Sequence, residues 1–197
     1  RPLTEIVNER SPVFAAVSPD GGHIVWAQSG SKRRAPGQFC LFTFSNADKQ
    51  CTDVPEEYQG YPYQLYWSPD STQVAFTESP IALGLESDIW VFNVADGSFV
   101  NRTDDGVTGS YVQAESGSYA LDIMPMWSQA DGQIYFWRIV PQGESQFQTA
   151  IFSVDGAEGE AVEVRDLSDV MAGQLPLYDI SNFSMDGISA LSPDGTK

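Results

Sequence analysis

The chain has 197 residues, of which 42% are hydrophobic and 12% aromatic, enough apolar material for a packed core. Its 27 acidic against 10 basic side chains leave a formal charge of -17 at neutral pH, and that field repels nucleic acid and anionic membrane surfaces. No run approaches the roughly 18 consecutive apolar residues of a spanning helix, and Arg1-Pro2-Leu3-Thr4 lacks the apolar core of a signal peptide, so any export segment is expected to have been removed already.

Residues 13–26 (VFAAVSPDGGHIVW) read as an apolar strand, a tight turn and a second apolar strand. Pro19 pre-sets the backbone for the turn, Asp20 can bond its own backbone, and Gly21 tolerates positive φ. His23, the one histidine of the chain, falls at the start of the second strand and reads as a solvent-facing turn residue rather than a general base. The loop 27–38 follows, with Lys32-Arg33-Arg34 as the one basic cluster. Arg33 and Arg34 are candidate contacts for an acidic side chain or a carboxylated sugar, the plainer reading being a solvated loop tip. Residues 39–44 then turn at Ser45-Asn46 into a strand that reaches Cys51. Cys40 and Cys51 lie symmetrically about that turn, so a cross-strand disulfide is within reach, two buried free thiols being the alternative.

The pattern then recurs. After the loop 53–62, with Tyr58 and Tyr61, comes 63–76 (YQLYWSPDSTQVAF); the loop 78–88 leads to 89–94, which turns at Ala95-Asp96-Gly97 into Arg102. After the loop 104–122, with Tyr111 and Tyr119, comes 123–136 (IMPMWSQADGQIYF); a loop over 139–148 leads to 150–154, turning near Asp155-Gly156 into Val164. A short helix is expected over 167–173, capped by Ser168 and stopped by Gly173. Residues 186–197 (DGISALSPDGTK) open a fourth copy. The anchor serines Ser18, Ser68, Ser128 and Ser192 are spaced by 50, 60 and 64 residues, longer than the ~40–45 of a minimal blade, so the excess belongs to loops.

Four strands per repeat, A to D, make an all-β chain of antiparallel meanders. A β-sandwich also uses short strands and turns, but gives no reason for one turn to recur every fourth strand. The fold expected is therefore a β-propeller of four-stranded blades: blades at about 11–60, 61–117 and 118–174, and the start of a fourth over 175–197. The pattern apolar-Trp-Ser-Pro-Asp-Gly, with Asp88-Ile89-Trp90-Val91-Phe92-Asn93-Val94-Ala95-Asp96-Gly97 and Asn101-Arg102-Thr103, resembles the TolB-like propeller repeat. That repeat also builds the propellers of the prolyl oligopeptidase and dipeptidyl peptidase family. The third copy departs from it, with Ser128-Gln129-Ala130-Asp131 at the turn. Three blades are too few to close a ring, since propellers have typically four to eight, and the expectation is a portion of a longer polypeptide; self-association through open blade edges is the rival outcome.

In such a meander the A–B and C–D turns share one end and the B–C and D–A connections the other. The long loops therefore gather on one face, where binding on rigid scaffolds usually sits. Tyr58, Tyr61, Tyr111 and Tyr119 fall there and suit protein surfaces and sugar rings; the plainer reading packs them onto the loop bases. No catalytic residue is assigned, because no Gly-x-Ser-x-Gly elbow, phosphate loop or His-Glu-x-x-His motif occurs and one histidine supplies no catalytic set. No cofactor or metal is expected: two cysteines and one histidine make no zinc site, and Asp104-Asp105 and Glu158-Gly159-Glu160 lack the alternating pattern of a calcium loop. The reading that follows is a non-catalytic propeller binding protein or peptide, exported to the periplasm or beyond, where a disulfide persists. The alternatives are the gating propeller of a larger serine peptidase and a glycan-binding or sugar-cleaving propeller.

Overall fold

The computed structural model describes residues 12–28, 37–56, 58, 62–78, 87–106, 120–142 and 147–171. They form three four-stranded antiparallel sheets, each a meander. Blade 1 holds β1 (Pro12–Val17), β2 (His23–Gln28), β3 (Gln38–Thr43) and β4 (Asp48–Asp53); blade 2 holds β5 (Pro62–Trp67), β6 (Gln73–Glu78), β7 (Ile89–Asn93) and β8 (Phe99–Asn101). Blade 3 holds β9 (Leu121–Trp127), β10 (Gln133–Pro141), β11 (Phe147–Asp155) and β12 (Val162–Asp166), and a one-turn helix α1 (Ser168–Met171) follows. This is the all-β partial propeller of three blades.

The A–B turns set the first hairpins. In blades 1 and 2 the serine hydroxyl donates to the aspartate two residues on, Ser18 to Asp20 at 2.5 Å and Ser68 to Asp70 at 2.6 Å, and that carboxylate accepts the N–H of Gly22 or Thr72. The turn closes on the N–H of Gly21 or Ser71, both at positive φ, 69° and 62°. Ser71 therefore holds a conformation that glycine adopts without strain. Its hydroxyl accepts the Asp20 N–H of the neighbouring blade at 3.2 Å, which offsets part of that cost. The third turn, without its proline, is built differently: Gly132 N–H closes it one residue later, and Asp131 bonds the N–H of Gln133.

Each blade presents two apolar faces because side chains alternate along a strand. The front face of blade 1 (Val25, Phe39, Leu41) packs on the rear face of blade 2 (Val74, Phe76, Trp90, Phe92), with Phe39 4.7 Å from Phe92 and 5.1 Å from Phe76. The front face of blade 2 (Ala75, Ile89, Val91) packs in turn on Ile134, Phe136 and Val154 of blade 3. The rear face of blade 1 is the matching set Ile24, Trp26, Cys40 and Phe42. Register shifts interrupt the pairing of all three innermost strands. In β5 and β9 they fall at Gln64 and Met124, both at positive φ and both four residues before the anchor serine, so the bulge belongs to the repeat. Gly156 marks a close approach between blades: a Cβ there would lie 2.8 Å from Gln73 Oε1 and from the Trp127 ring.

Three expectations are corrected. Residues 139–141 and 147–148, expected within a loop, are strand: β10 and β11 run nine residues each and pair from Gln133↔Asp155 to Pro141↔Phe147. Pro141 and Gly143 signal a break, yet a proline in the last rung removes little from the ladder. His23 does not simply face solvent; it is half-buried, its Nδ1 lies 3.1 Å from Thr43 Oγ1, and its ring stacks on Trp67 of blade 2 at 6.1 Å. Ser168 does not cap α1 with its hydroxyl, which accepts the Thr149 N–H; the Asp166 carboxylate accepts the Ser168 N–H instead.

Candidate functional site

The most concentrated polar chemistry among the described residues lies at the seam between blades 2 and 3, on the end where the B–C and D–A connections emerge. Asp122, in β9, pairs in register with Arg138 of β10. The two side chains form a bidentate ion pair, Arg138 Nε to Oδ1 at 2.8 Å and Nη2 to Oδ2 at 2.6 Å. The guanidinium lies over Phe152 at 4.5 Å and Phe136 at 5.6 Å, so its faces are apolar and its edge is spent on the carboxylate.

The backbone of Asp122 ties this pair to blade 2. Its N–H donates to the Ser87 carbonyl at 2.8 Å, and its own carbonyl accepts from Ser87 Oγ and Thr77 Oγ1, each at 2.9 Å. Asp88, next to Ser87 and buried, accepts from Asn101 Nδ2 at 2.6 Å and from Thr103 Oγ1 at 3.3 Å, while Thr103 Oγ1 accepts the Ile89 N–H. Asn101 belongs to an Asn-x-Thr triplet, and its amide is committed to this network. Burial pushes the Asp122 carboxyl up to about 6, the hydrogen bonds and charge of Arg138 acting against it and the nearby Asp88 carboxylate adding to it. Burial alone disfavours the Arg138 cation, but the Asp122 hydrogen bonds and charge outweigh it and hold its pKa above the ordinary value. The arrangement can hold a charge pair and take up a proton near pH 6. Every nucleophilic atom in it is already engaged.

The sequence did not single out Asp122 or Arg138, although a signal existed. Aligned on the anchor serines, Pro12, Pro62 and Asp122 share one position and Gln28, Glu78 and Arg138 another, and the two positions pair in all three blades. A proline exchanged for an aspartate opposite an arginine was the mark of this seam. In blade 1 the matching Gln28 is buried with Nε2 unpartnered.

Of the candidate ligand residues, Arg33, Arg34, Tyr61, Tyr111 and Tyr119 lie outside the described residues. Tyr58 is placed in the core, not on the loop surface: it is 3% exposed, its ring lies 5.6 Å from Trp90 and 5.8 Å from Phe76, and its hydroxyl donates to the Thr77 carbonyl. It wedges blade 1 against blade 2. Cys40 and Cys51 pair directly in register and are joined as a disulfide, Cα to Cα 4.1 Å. Among the described residues no three His, Cys, Asp or Glu side chains gather as a metal site, and no helix is long and apolar enough to cross a membrane.

No family model matches the chain and no curated protein matches it. Among solved structures, the β-propeller domain of the Trilobed protease from Pyrococcus furiosus is similar with a TM-score of 0.50 at 10% identity, over 78% of this chain and 43% of that one. The AtxE2 isopeptidase without ligand gives 0.49 at 11% identity, over 77% and 28%. A hypothetical selenium-binding protein from Sulfolobus tokodaii gives 0.49 at 11%, over 81% and 42%. This chain spans less than half the length of each of the three, and at such identities what is shared is the fold, a β-propeller.

Proposed function

We propose that this chain is part of an exported, non-catalytic β-propeller that binds protein or peptide through the face carrying its B–C and D–A connections. The observation behind this reading is the contrast between the two ends of the blades. At the A–B and C–D end the turns spend their polar groups on themselves: Ser18 on Asp20, Ser68 on Asp70, the Asp48 N–H on Asn46, the Ser98 N–H on Asp96, and the Ala157 N–H on Asp155. The longer connections, 29–37, 79–88 and 102–120, all leave from the other end. The Cys40–Cys51 disulfide supports export, because cytosolic thiols are kept reduced, and the likeness of the repeat to the TolB-like one points the same way. Selection of a displayed peptide library on the immobilised protein tests the binding face. Enriched peptides are expected to lose binding when Arg33, Arg34, Tyr111 and Tyr119 are replaced by serine and to keep it when the turn residues Asp20, Asp96 and Asp131 are replaced by asparagine. The reverse pattern, or no dependence on either set, defeats the proposal.

A second reading, the gating propeller of a larger serine peptidase, draws on the likeness to the Trilobed protease propeller. The parent reading frame decides it: a Gly-x-Ser-x-Gly elbow downstream supports this reading, and a frame without one removes it.

A further inference from the structure

In blade 1 one row of paired residues crosses from the second strand to the last: Trp26 of β2 stands opposite Cys40 of β3, and Cys40 opposite Cys51 of β4. The Cys40–Cys51 disulfide therefore joins two contrasting environments. Cys40 is fully buried among Ile24, Trp26 and Phe42. Cys51 is exposed, as is every residue of β4 except Thr52. The strand leads straight into the seam with blade 2. Thr52 Oγ1 lies 3.2 Å from where a Cβ would stand at Gly97 of blade 2, and Val54 and Tyr58 are buried in the core that blades 1 and 2 share. The Gly37 carbonyl holds the Val54 N–H and the Pro55 carbonyl the Tyr58 N–H, each at 3.1 Å. A strand with little apolar burial of its own thus anchors one end of a buried wedge, and its covalent tie to β3 is the disulfide.

We propose that Cys51 is a thiol-exchange site, at which a low-molecular-weight thiol opens the disulfide and frees β4 together with the wedge residues Val54 and Tyr58. A thiolate attacks a disulfide sulfur in line with the S–S bond, from the side away from the sulfur it expels. The bond joins neighbouring strands, so this line runs across the sheet. Beyond Cys51 it leaves the sheet, because β4 is the outermost strand; beyond Cys40 it meets Trp26, which has no exposed surface. The Lys49 ammonium, 5.4 Å over the Trp26 ring, puts a positive charge beside the row in an otherwise acidic chain, where the anionic thiolate arrives. The attack forms a mixed disulfide between the reagent and Cys51 Sγ, breaks the Sγ–Sγ bond, and leaves Cys40 as a thiolate that takes one proton from water. A second thiolate attacks the reagent's sulfur, releases Cys51, and carries the reagent away as its own disulfide. The protein gains two electrons and two thiols of the reagent are oxidised.

The direction of attack gives the test. The native protein is incubated with reduced glutathione, quenched with acid, unfolded and alkylated, and cleavage after Lys49 separates the two cysteines for peptide mapping. Glutathione is expected on Cys51 and the alkyl group on Cys40, with adducts at Cys51 exceeding those at Cys40 by about tenfold or more. Equal labelling, an excess on Cys40, or no adduct under conditions that label the urea-unfolded protein overturns the proposal. Release of the wedge is read by amide hydrogen exchange of the protein held reduced by a small dithiol. The Val54 and Tyr58 amides are expected to speed by about tenfold more than that of Asp122, which the Ser87 carbonyl holds in the other seam. Uniform acceleration at all three means that reduction lowers only global stability, and it overturns the proposal, as does the absence of any acceleration.

Discussion

Asp122 is where burial and charge oppose each other most strongly. Its folded pKa of about 6 lies above the ordinary 3.8, so the folded state holds a proton that the unfolded chain has released. The stabilisation this gives is complete below pH 3.8 and is lost as pH rises through about 6, a change of about 3 kcal/mol across the window. Asp20, Asp70, Asp96, Asp131, Asp155 and Asp166 run the other way: hydrogen bonding holds each below its ordinary value, so what they contribute is lost as pH falls below about 4. Urea midpoints are thus expected to be highest between about pH 4 and 6, and Asp122→Asn to flatten the fall between pH 5 and 7.5. A variant with the parent slope would assign that fall to the general excess of negative charge. Replacing the arginine leaves a buried carboxylate unpaired, so Arg138→Met is expected to cost about 3–5 kcal/mol at pH 7.5 and distinctly less at pH 5. Neither residue is conspicuous in the sequence, because a lone aspartate at the end of a loop and a lone arginine in a strand each have ordinary uses. Only their common distance from the anchor serine connects them.

The hairpins of blades 1 and 2 were readable because Pro19 and Pro69 restrict the turn and the aspartates that follow close it. Where Gln129 replaces the proline the hairpin survives, but the closing bond and the capping acid each move by one residue, a shift that composition does not announce. Tyr58 fits the plainer of its two sequence readings, packing onto the blades, and local sequence could not choose between them. Its segment is a connection by every local sign, and only the assembled blades show that this connection passes inward. Tyr58→Ala is expected to destabilise by about 3–5 kcal/mol, since it empties the wedge between Phe76 and Trp90. Tyr58→Phe removes only the hydroxyl from the Thr77 carbonyl and is expected to cost about 1 kcal/mol, both values by urea denaturation. The outermost strand of blade 1 depends on its cross-link. β4 is largely exposed and carries Asp48, Lys49, Gln50 and Asp53, so little apolar burial holds it. With 11 residues separating Cys40 and Cys51, loop closure is worth about 3 kcal/mol. Cys51→Ser is expected to lower stability by that amount and to abolish the sensitivity of the parent protein to reductant.

The architecture of the molecule was legible because its signal is repeated: one turn, once every four strands, with a spacing that a sandwich does not need. The conversation between blades was not, because it is written in positions far apart in the chain, such as Thr77 with Asp122 and Arg102 with the carbonyls of Asp155 and Gly159. That distribution is uneven. Pro12 and Pro62 begin their strands without an N–H to give, whereas Asp122 in the same position donates to Ser87 and receives from Ser87 and Thr77. The seam between blades 1 and 2 is an aromatic core tied by the Asp20 N–H to Ser71, the Trp67 indole to the Ala16 carbonyl and the Tyr58 hydroxyl to the Thr77 carbonyl, and the seam between blades 2 and 3 is laced more densely, around Asp122 and Arg102. Mechanical load is therefore not shared equally. Pulled along the chain, the array is expected to part first between blades 1 and 2, with a single-molecule trace showing the second and third blades yielding later and together. On that expectation, an acid standing where the other blades have a proline helps set where this array tears.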